Sequence, residues 1–256
     1  MTDKVTDIKF KNLCVFVMLF CFAAQTEAAV SPEMAVTAVD SQQAHLSSSS
    51  MAEKSGRVLV LFSHPALPNK LWAGTEHGGL WQSGDSGSTW MPVGAVMQNL
   101  SVRSIAADSR NPNIMYAGTG DGRRNEISQR GQGMFMSDDG GASWSLLSLT
   151  NPAIVGDNWS HINSITINTS NVILAATSDN QHNGFIYRSV DGGRTWGLTP
   201  VYIASKVGPH NVIHKVRFDP DNPNAAIFMD DYANVTHTSD GGQTWRIVKT
   251  SSTSCK

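Results

Sequence analysis

The chain has 256 residues, 40% of them apolar, with 19 Lys and Arg against 21 Asp and Glu and a formal net charge of −2. A chain of this size can bury a full core, and the near-neutral balance gives no electrostatic footprint for nucleic acid or for an anionic membrane surface.

The first element is a leader. Lys4, Lys9 and Lys11 precede an apolar stretch over 13–24 and the small-x-small triplet Thr26-Glu27-Ala28, which together predict a cleavable signal peptide over 1–28. The apolar stretch is short for a membrane span, so an uncleaved anchor is the lesser reading and no span is expected after cleavage. Phe20 ahead of Cys21 is too bulky for a lipoprotein cleavage site. Cleavage removes Cys14 and Cys21 and leaves Cys255 alone, so the mature chain has no internal disulfide. It also removes three lysines and three acidic residues, leaving the net charge unchanged. A secreted or periplasmic protein is expected. Residues 29–56, rich in Ser and Ala and including Ser47 to Ser50, read as a linker.

From residue 57 onward a repeat takes over. The pattern Ser/Thr-x-Asp-x-Gly-x-Thr/Ser-Trp occurs four times, carried by Ser83, Asp85, Gly87 and Trp90; Ser137, Asp139, Gly141 and Trp144; Ser189, Asp191, Gly193 and Trp196; and Thr238, Asp240, Gly242 and Trp245. The box aspartates are 54, 52 and 49 positions apart (139 − 85, 191 − 139, 240 − 191), a period typical of propellers and solenoids. Each box reads as a tight hairpin in which the Asp and hydroxyl side chains bond turn amides and Gly supplies a positive φ. A second Gly precedes the box Gly in three copies (Gly140, Gly192, Gly241), while Ser86 stands there in the first.

Each box follows a short apolar run, such as Leu71-Trp72-Ala73 or Met115-Tyr116-Ala117, and three of these runs follow a Pro-Asn turn signal (Leu67-Pro68-Asn69, Asn111-Pro112-Asn113, Asn222-Pro223-Asn224). For the second repeat this predicts strands over 102–108, 114–118, 133–137 and 144–149. Short strands at regular spacing, with no helical periodicity, predict an all-β propeller of four-stranded antiparallel blades at about 57–94, 101–149, 161–203 and 212–249, followed by a tail over 250–256.

The four boxes in phase resemble the Asp-box, or BNR-repeat, propeller superfamily: sialidases, family-74 xyloglucanases and related glucanases, sortilin-type ectodomains and photosystem II assembly factors. The resemblance covers about 57–249. It implies the fold, and it leaves function open between hydrolases and binding proteins. Related propellers usually have more blades, so four blades form a small ring, a piece of a larger one, or an open arc whose edges invite pairing with a second copy.

Strand alternation puts the boxes and Pro-Asn loops on one face, and the strand 2–3 loops and inter-blade connections on the other. In related propellers ligands bind on this second, axial face. Its loops carry Glu76 and His77; Asp121 and Arg123; Asp179 and His182; Asp230 and Asp231; the connections add Trp159 and His161. Arg103, Asn163 and His214 align at the starts of three innermost strands, where their side chains could reach the central mouth. Trp159, beside Asp157 and His161, reads either as a platform for a sugar ring or as a cover over the gap between blades. A charged loop residue also has the plainer reading of a solvated surface.

The sialidase signature, an arginine triad with a Phe/Tyr-Arg-Ile-Pro motif, is absent from this sequence: Arg57, Arg103 and Arg217 fall at different points along their strands. Ala73-Gly74-Thr75-Glu76-His77-Gly78-Gly79 is similar to the first-repeat motif of the xyloglucanases, and the resemblance puts Glu76 where that family has a catalytic Asp. The family's second carboxylate lies on a second propeller, so a partner here would be sought among Asp121, Asp179, Asp230 and Asp231. An inverting pair needs carboxylates roughly 6.5–9.5 Å apart. Neither metal-ligand spacing nor a phosphate-cradling loop stands out, so no metal and no cofactor are expected. The function expected is recognition of a polysaccharide or an extracellular protein on the axial face. Glycoside hydrolysis through Glu76 and a non-catalytic sortilin-like or assembly-factor-like scaffold are the alternatives.

Overall fold

A computed structural model describes residues 56–64, 66–122, 129–199, 201–202 (backbone only) and 211–248. The leader, nearly all of the linker, the tail and Arg123 lie outside the described residues. Everything below concerns the unit 41–256. Among the described residues helix is limited to single turns, and no helix is long and apolar enough to cross a membrane.

The fold is an all-β propeller of four blades. Blade 1 comprises β1 (Val58–His64), β2 (Leu67–Thr75), β3 (Leu80–Ser83) and β4 (Met91–Pro92); blade 2 comprises β5 (Val102–Ala107), β6 (Met115–Thr119), β7 (Met134–Ser137) and β8 (Ser145–Leu146). Blade 3 comprises β9 (His161–Ile167), β10 (Ile173–Ser178), β11 (Gly184–Ser189) and β12 (Gly197–Leu198). Blade 4 comprises β14 (Ile213–Phe218), β15 (Ala226–Asp230), β16 (Val235–Thr238) and β17 (Trp245–Val248). Neighbouring strands within each blade are antiparallel.

Two details differ from the sequence reading. Leu67-Pro68-Asn69 belongs to β2 rather than to a turn, because His64 already pairs with Leu67 and the reversal is over by Ala66. Val201 and Tyr202, assigned by sequence to blade 3, form β13 (Val201–Tyr202), which runs parallel to β17 on the outer edge of blade 4. β17 is thereby paired on both sides and is four residues long, whereas the outer strands of blades 1 to 3 have two residues each.

The core lies between blades. Trp72 and Leu80 of blade 1 pack with Ile105, Ala117 and Phe135 of blade 2; Tyr116 and Met134 of blade 2 with Ile162, Ile165 and Ala175 of blade 3; Leu174 and Ile186 of blade 3 with Val216, Phe218 and Phe228 of blade 4. No corresponding cluster joins blade 4 to blade 1 among the described residues.

The four boxes are near-identical turns. In each, the hydroxyl of Ser83, Ser137, Ser189 or Thr238 donates to the box Asp and accepts from the box Gly amide, while the Asp also accepts from the amide and hydroxyl four residues on. The donors of Thr89, Ser143 and Thr195, chiefly, hold Asp85, Asp139 and Asp191 at about pKa 2. At Asp240 burial is the largest influence and works upward, but the donors of Thr238 and Thr244 outweigh it and the value again falls to about 2. The indole N–H of Trp90, Trp144 and Trp196 closes the turn on the box Gly carbonyl.

The box glycines do two jobs. Their φ is positive throughout, and in blades 2 to 4 they also face a side chain of the preceding blade. A Cβ on Gly141 would lie 2.6 Å from Trp72 Nε1, and one on Gly242 2.6 Å from Leu174 Cδ2. On Gly87, which no blade precedes among the described residues, the nearest atom would be Leu71 Cδ1 at 3.4 Å.

Candidate functional site

The strand 2–3 loops and the inter-blade connections meet around the inner strands. Each inner strand carries one extra residue relative to strand 2, at the same place in every blade: Leu59 between Val58 and Val60, then Arg103, Asn163 and His214. Such bulges re-aim a side chain out of the regular alternation. Sequence alignment singled out Arg103, Asn163 and His214; it missed Leu59, whose apolar side chain gave no chemical signal.

Three of the four bulge residues are tied to the end of strand 2 or to the residues just beyond it. Arg103 Nη1 donates to Asp121 Oδ1 at 2.6 Å, and Asp121 is only 1% exposed. Asn163 Nδ2 donates to Ser178 Oγ and to the Ile213 carbonyl of the next blade, both at 3.2 Å. His214 Nε2 lies 2.6 Å from Asp231 Oδ1, while Asp231 Oδ2 accepts from the Val212 amide. Asn163 Oδ1 is buried and meets no donor in the structure.

Blade 1 contributes Glu76, whose amide donates to the Arg57 carbonyl at 2.9 Å and whose carboxylate lies 3.6 Å from the Arg57 guanidinium. Glu76 and His77 flank Gly56, where a Cβ would lie 3.2 Å from each. At the junction of blades 2 and 3, Gly122 sits against Ser178 Oγ, Asn163 Oδ1 and His161 Cβ, an approach that leaves no room for a side chain. Burial lowers the pKa of His161, and His182 adds to that shift. Hydrogen bonds with the backbone at Ser178 and Asp179, together with the charge of Asp121, oppose it. Asp121, His161 and His182 thus form one neighbourhood.

Three sequence expectations need correction. Trp159 is 3% exposed, with its ring centroid 4.5 Å from Tyr187 and 5.1 Å from Trp196, so it covers the gap between blades and has no open face for a sugar. Asp179 and Asp230 are turn locks. Asp179 accepts from the amides of Gln181 and Asn183 and from Asn183 Nδ2; Asp230 accepts in the same way from Tyr232, Asn234 and Asn234 Nδ2, and from Asn211 Nδ2 as well. In both loops the residue before the Asn takes a left-handed φ, 63° at His182 and 57° at Ala233. The signal was present as the shared spacing Asp-x-x-x-Asn at 179–183 and 230–234, a second repeat hidden behind the more conspicuous boxes. A carboxylate that accepts three or four such bonds is poorly placed to take a proton from water or to hold a cation.

No protein-family model matches this sequence, and no curated protein matches it either. The fold does match solved structures. An ancestral GH74 enzyme aligns over 76% of this chain and 24% of its own at 21% identity and a TM-score of 0.60. The GH74 xyloglucanase from Xanthomonas campestris aligns over 76% and 30% at 16% identity and 0.55, and the GH74 enzyme of Niastella koreensis over 75% and 29% at 20% identity and 0.54. The chain spans about a quarter to a third of these enzymes. At such identity the likeness is one of fold.

Proposed function

We propose that the chain is an exported Asp-box propeller that binds a polysaccharide on its axial face without cleaving it. The observation that carries this reading is the row of polar bulge side chains at one level of three successive blades: Arg103 and His214 are partly exposed and each is held by a carboxylate, and buried Asn163 ties blade 3 to blade 4 between them. Donors and acceptors at blade-to-blade spacing suit a chain of hydroxyls better than a single small ligand. An extracellular protein presenting similar groups is the other partner such a face would take.

Hydrolysis is the second reading, favoured by one observation: Glu76 stands at the end of β2 in a fold like that of the GH74 enzymes, with its side chain 18% exposed. Against it, Asp179 and Asp230 are occupied in turns, Asp121 is buried on Arg103, and Asp231 holds His214 and the Val212 amide. An acid–base pair needs a second carboxyl free to exchange a proton.

The test is affinity electrophoresis of the chain in gels containing xyloglucan, mixed-linkage β-glucan or sialosides, with Arg103→Gln and His214→Ala beside the parent. Retardation relieved by both substitutions is expected. Retardation that both variants keep in full would move the ligand off this face.

A further inference from the structure

In blades 1 to 3 one side of each sheet is built to receive the next blade. On that side the paired residues of the two inner strands are Phe62 and Trp72, Ala106 and Tyr116, and Thr166 and Leu174. Trp72, Tyr116 and Leu174 each lie over the following box, with the Tyr116 hydroxyl bonded to the Gly192 carbonyl. Closer to the axis, Gly74 and Gly118 admit the next inner strand, and Ala176 occupies the same place in blade 3.

Blade 4 keeps an apolar residue, Ile227, at the place of Trp72, Tyr116 and Leu174, and breaks the rest of that pattern. The register puts Arg217, Ile227, His237 and Arg246 side by side across its four strands, with Lys215 two residues from Arg217 on the same side and Met229 where the earlier blades have Gly or Ala. Lys215, Arg217 and Arg246 are exposed and form no ion pair among the described residues. Arg57, Arg103, Arg110 and Arg130 each face a carboxylate. Lys215 keeps solvent-exposed surface, yet the protein crowded around its amine, and then the charges of Arg103 and Arg217, lower its pKa, so the charges acting on it are cations. Lys215 follows the bulge residue His214, so the strip begins beside the axial row and runs through Arg217 to Arg246 on β17.

We propose that this face of blade 4 is a docking surface for an anionic polysaccharide, one bearing carboxylates or sulfates along its length. Three strand spacings separate Arg217 from Arg246, roughly 14 Å, so the strip suits an extended polymer of repeated charges better than a single anion. Between Lys215 and Arg246 the one ring among the described side chains is the His237 imidazole, with no Trp, Tyr or Phe platform of the kind neutral sugars and single-stranded nucleic acids stack on, which leaves charge as the chief means of recognition. A second copy of the chain does not fit. The opposite end of the arc offers the apolar row Leu61, Ala73 and Trp81, and pressing uncompensated cations onto it would strip their water with no return. The choice of a polysaccharide over an acidic protein rests on the proposed function above.

The test is binding of the full chain to polygalacturonate, to neutral xyloglucan and to poly-L-glutamate, each at low and high salt, with the triple substitution Lys215→Gln, Arg217→Gln, Arg246→Gln beside the parent. All three side chains are exposed, and an unchanged melting temperature will show that the variant folds. The expected result is salt-sensitive binding of polygalacturonate that falls roughly tenfold or more in the triple variant. Polygalacturonate binding that the variant keeps, or its absence in the parent, would overturn the proposal. Poly-L-glutamate binding of equal strength, lost in the same variant, would overturn it in favour of an acidic protein partner. Xyloglucan reports on the axial reading alone: its capture without polygalacturonate refutes the strip and spares that reading, and the reverse supports the strip and counts against that reading.

Discussion

The two faces of this propeller are stabilised in different ways. On the box face each turn is self-contained: a hydroxyl, an aspartate and a glycine satisfy one another within eight residues, four times over. On the axial face the bonds join residues far apart in sequence: Arg103 to Asp121, Asn163 to Ile213, the Gly131 amide to the Ser160 carbonyl. Local closure makes the box face repetitive and structural. Closure at a distance lets each blade present a different side chain at the same place, which is what a binding surface requires.

Substitutions should separate the two faces by the kind of damage they do. The largest loss is expected at Trp159→Ala, about 3–5 kcal/mol in urea denaturation, because its buried ring fills the seam between blades 2 and 3. A loss near zero would return Trp159 to the surface. Next comes Gly141→Ala, where left-handed strain and the contact with Trp72 add to about 2–4 kcal/mol. The same change at Gly87 meets strain without the clash and should cost about 1–2 kcal/mol. Equal costs at the two glycines would show that the boxes are not docked on the preceding blade.

Arg103→Gln leaves buried Asp121 without its cation and should cost about 2 kcal/mol, less than for a fully buried pair because the guanidinium is partly exposed. Unlike the box substitutions, it should also weaken ligand binding in the fraction that stays folded.

Acid should act on the box face first. The four box aspartates titrate near 2 in the folded chain against an ordinary 3.8, so their contribution is complete above about pH 4 and is lost as the pH falls toward 2. The melting temperature should drop across that window, and the drop should be shallower in Asp139→Asn. The smallest effect expected is a gain: Ser86 holds a φ of 59° where the other boxes have glycine, so Ser86→Gly should stabilise by about 0.5–1 kcal/mol.

The same contrast explains what was legible in the sequence. The box face could be read directly, because Ser83 to Asp85 to Gly87 is a local pattern with a local geometry, and its period carries the propeller with it. On the axial face the alignment of Arg103, Asn163 and His214 was legible, and the rest only as a pool of polar residues. Its bulges depend on how β1, β5, β9 and β14 pair with their neighbours, so Leu59 went unnoticed and Trp159 was left between two roles. Asp179 and Asp230 resembled free carboxylates because their locking asparagines, Asn183 and Asn234, are four residues away and meet them only through a left-handed turn. The cations of blade 4 were visible one by one, but register alone puts Arg217, His237 and Arg246 in a row.

The central claim is that the axial face binds a polysaccharide and leaves it intact. The direct measurement is release of reducing ends from xyloglucan and mixed-linkage β-glucan by the purified chain, with Glu76→Gln as control, on the samples used to measure binding. The account predicts retention of the polymer with no release above background, and equal retention by Glu76→Gln. Release that Glu76→Gln abolishes while its melting temperature is unchanged would contradict it, and would make the chain a glycosidase with Glu76 at its centre.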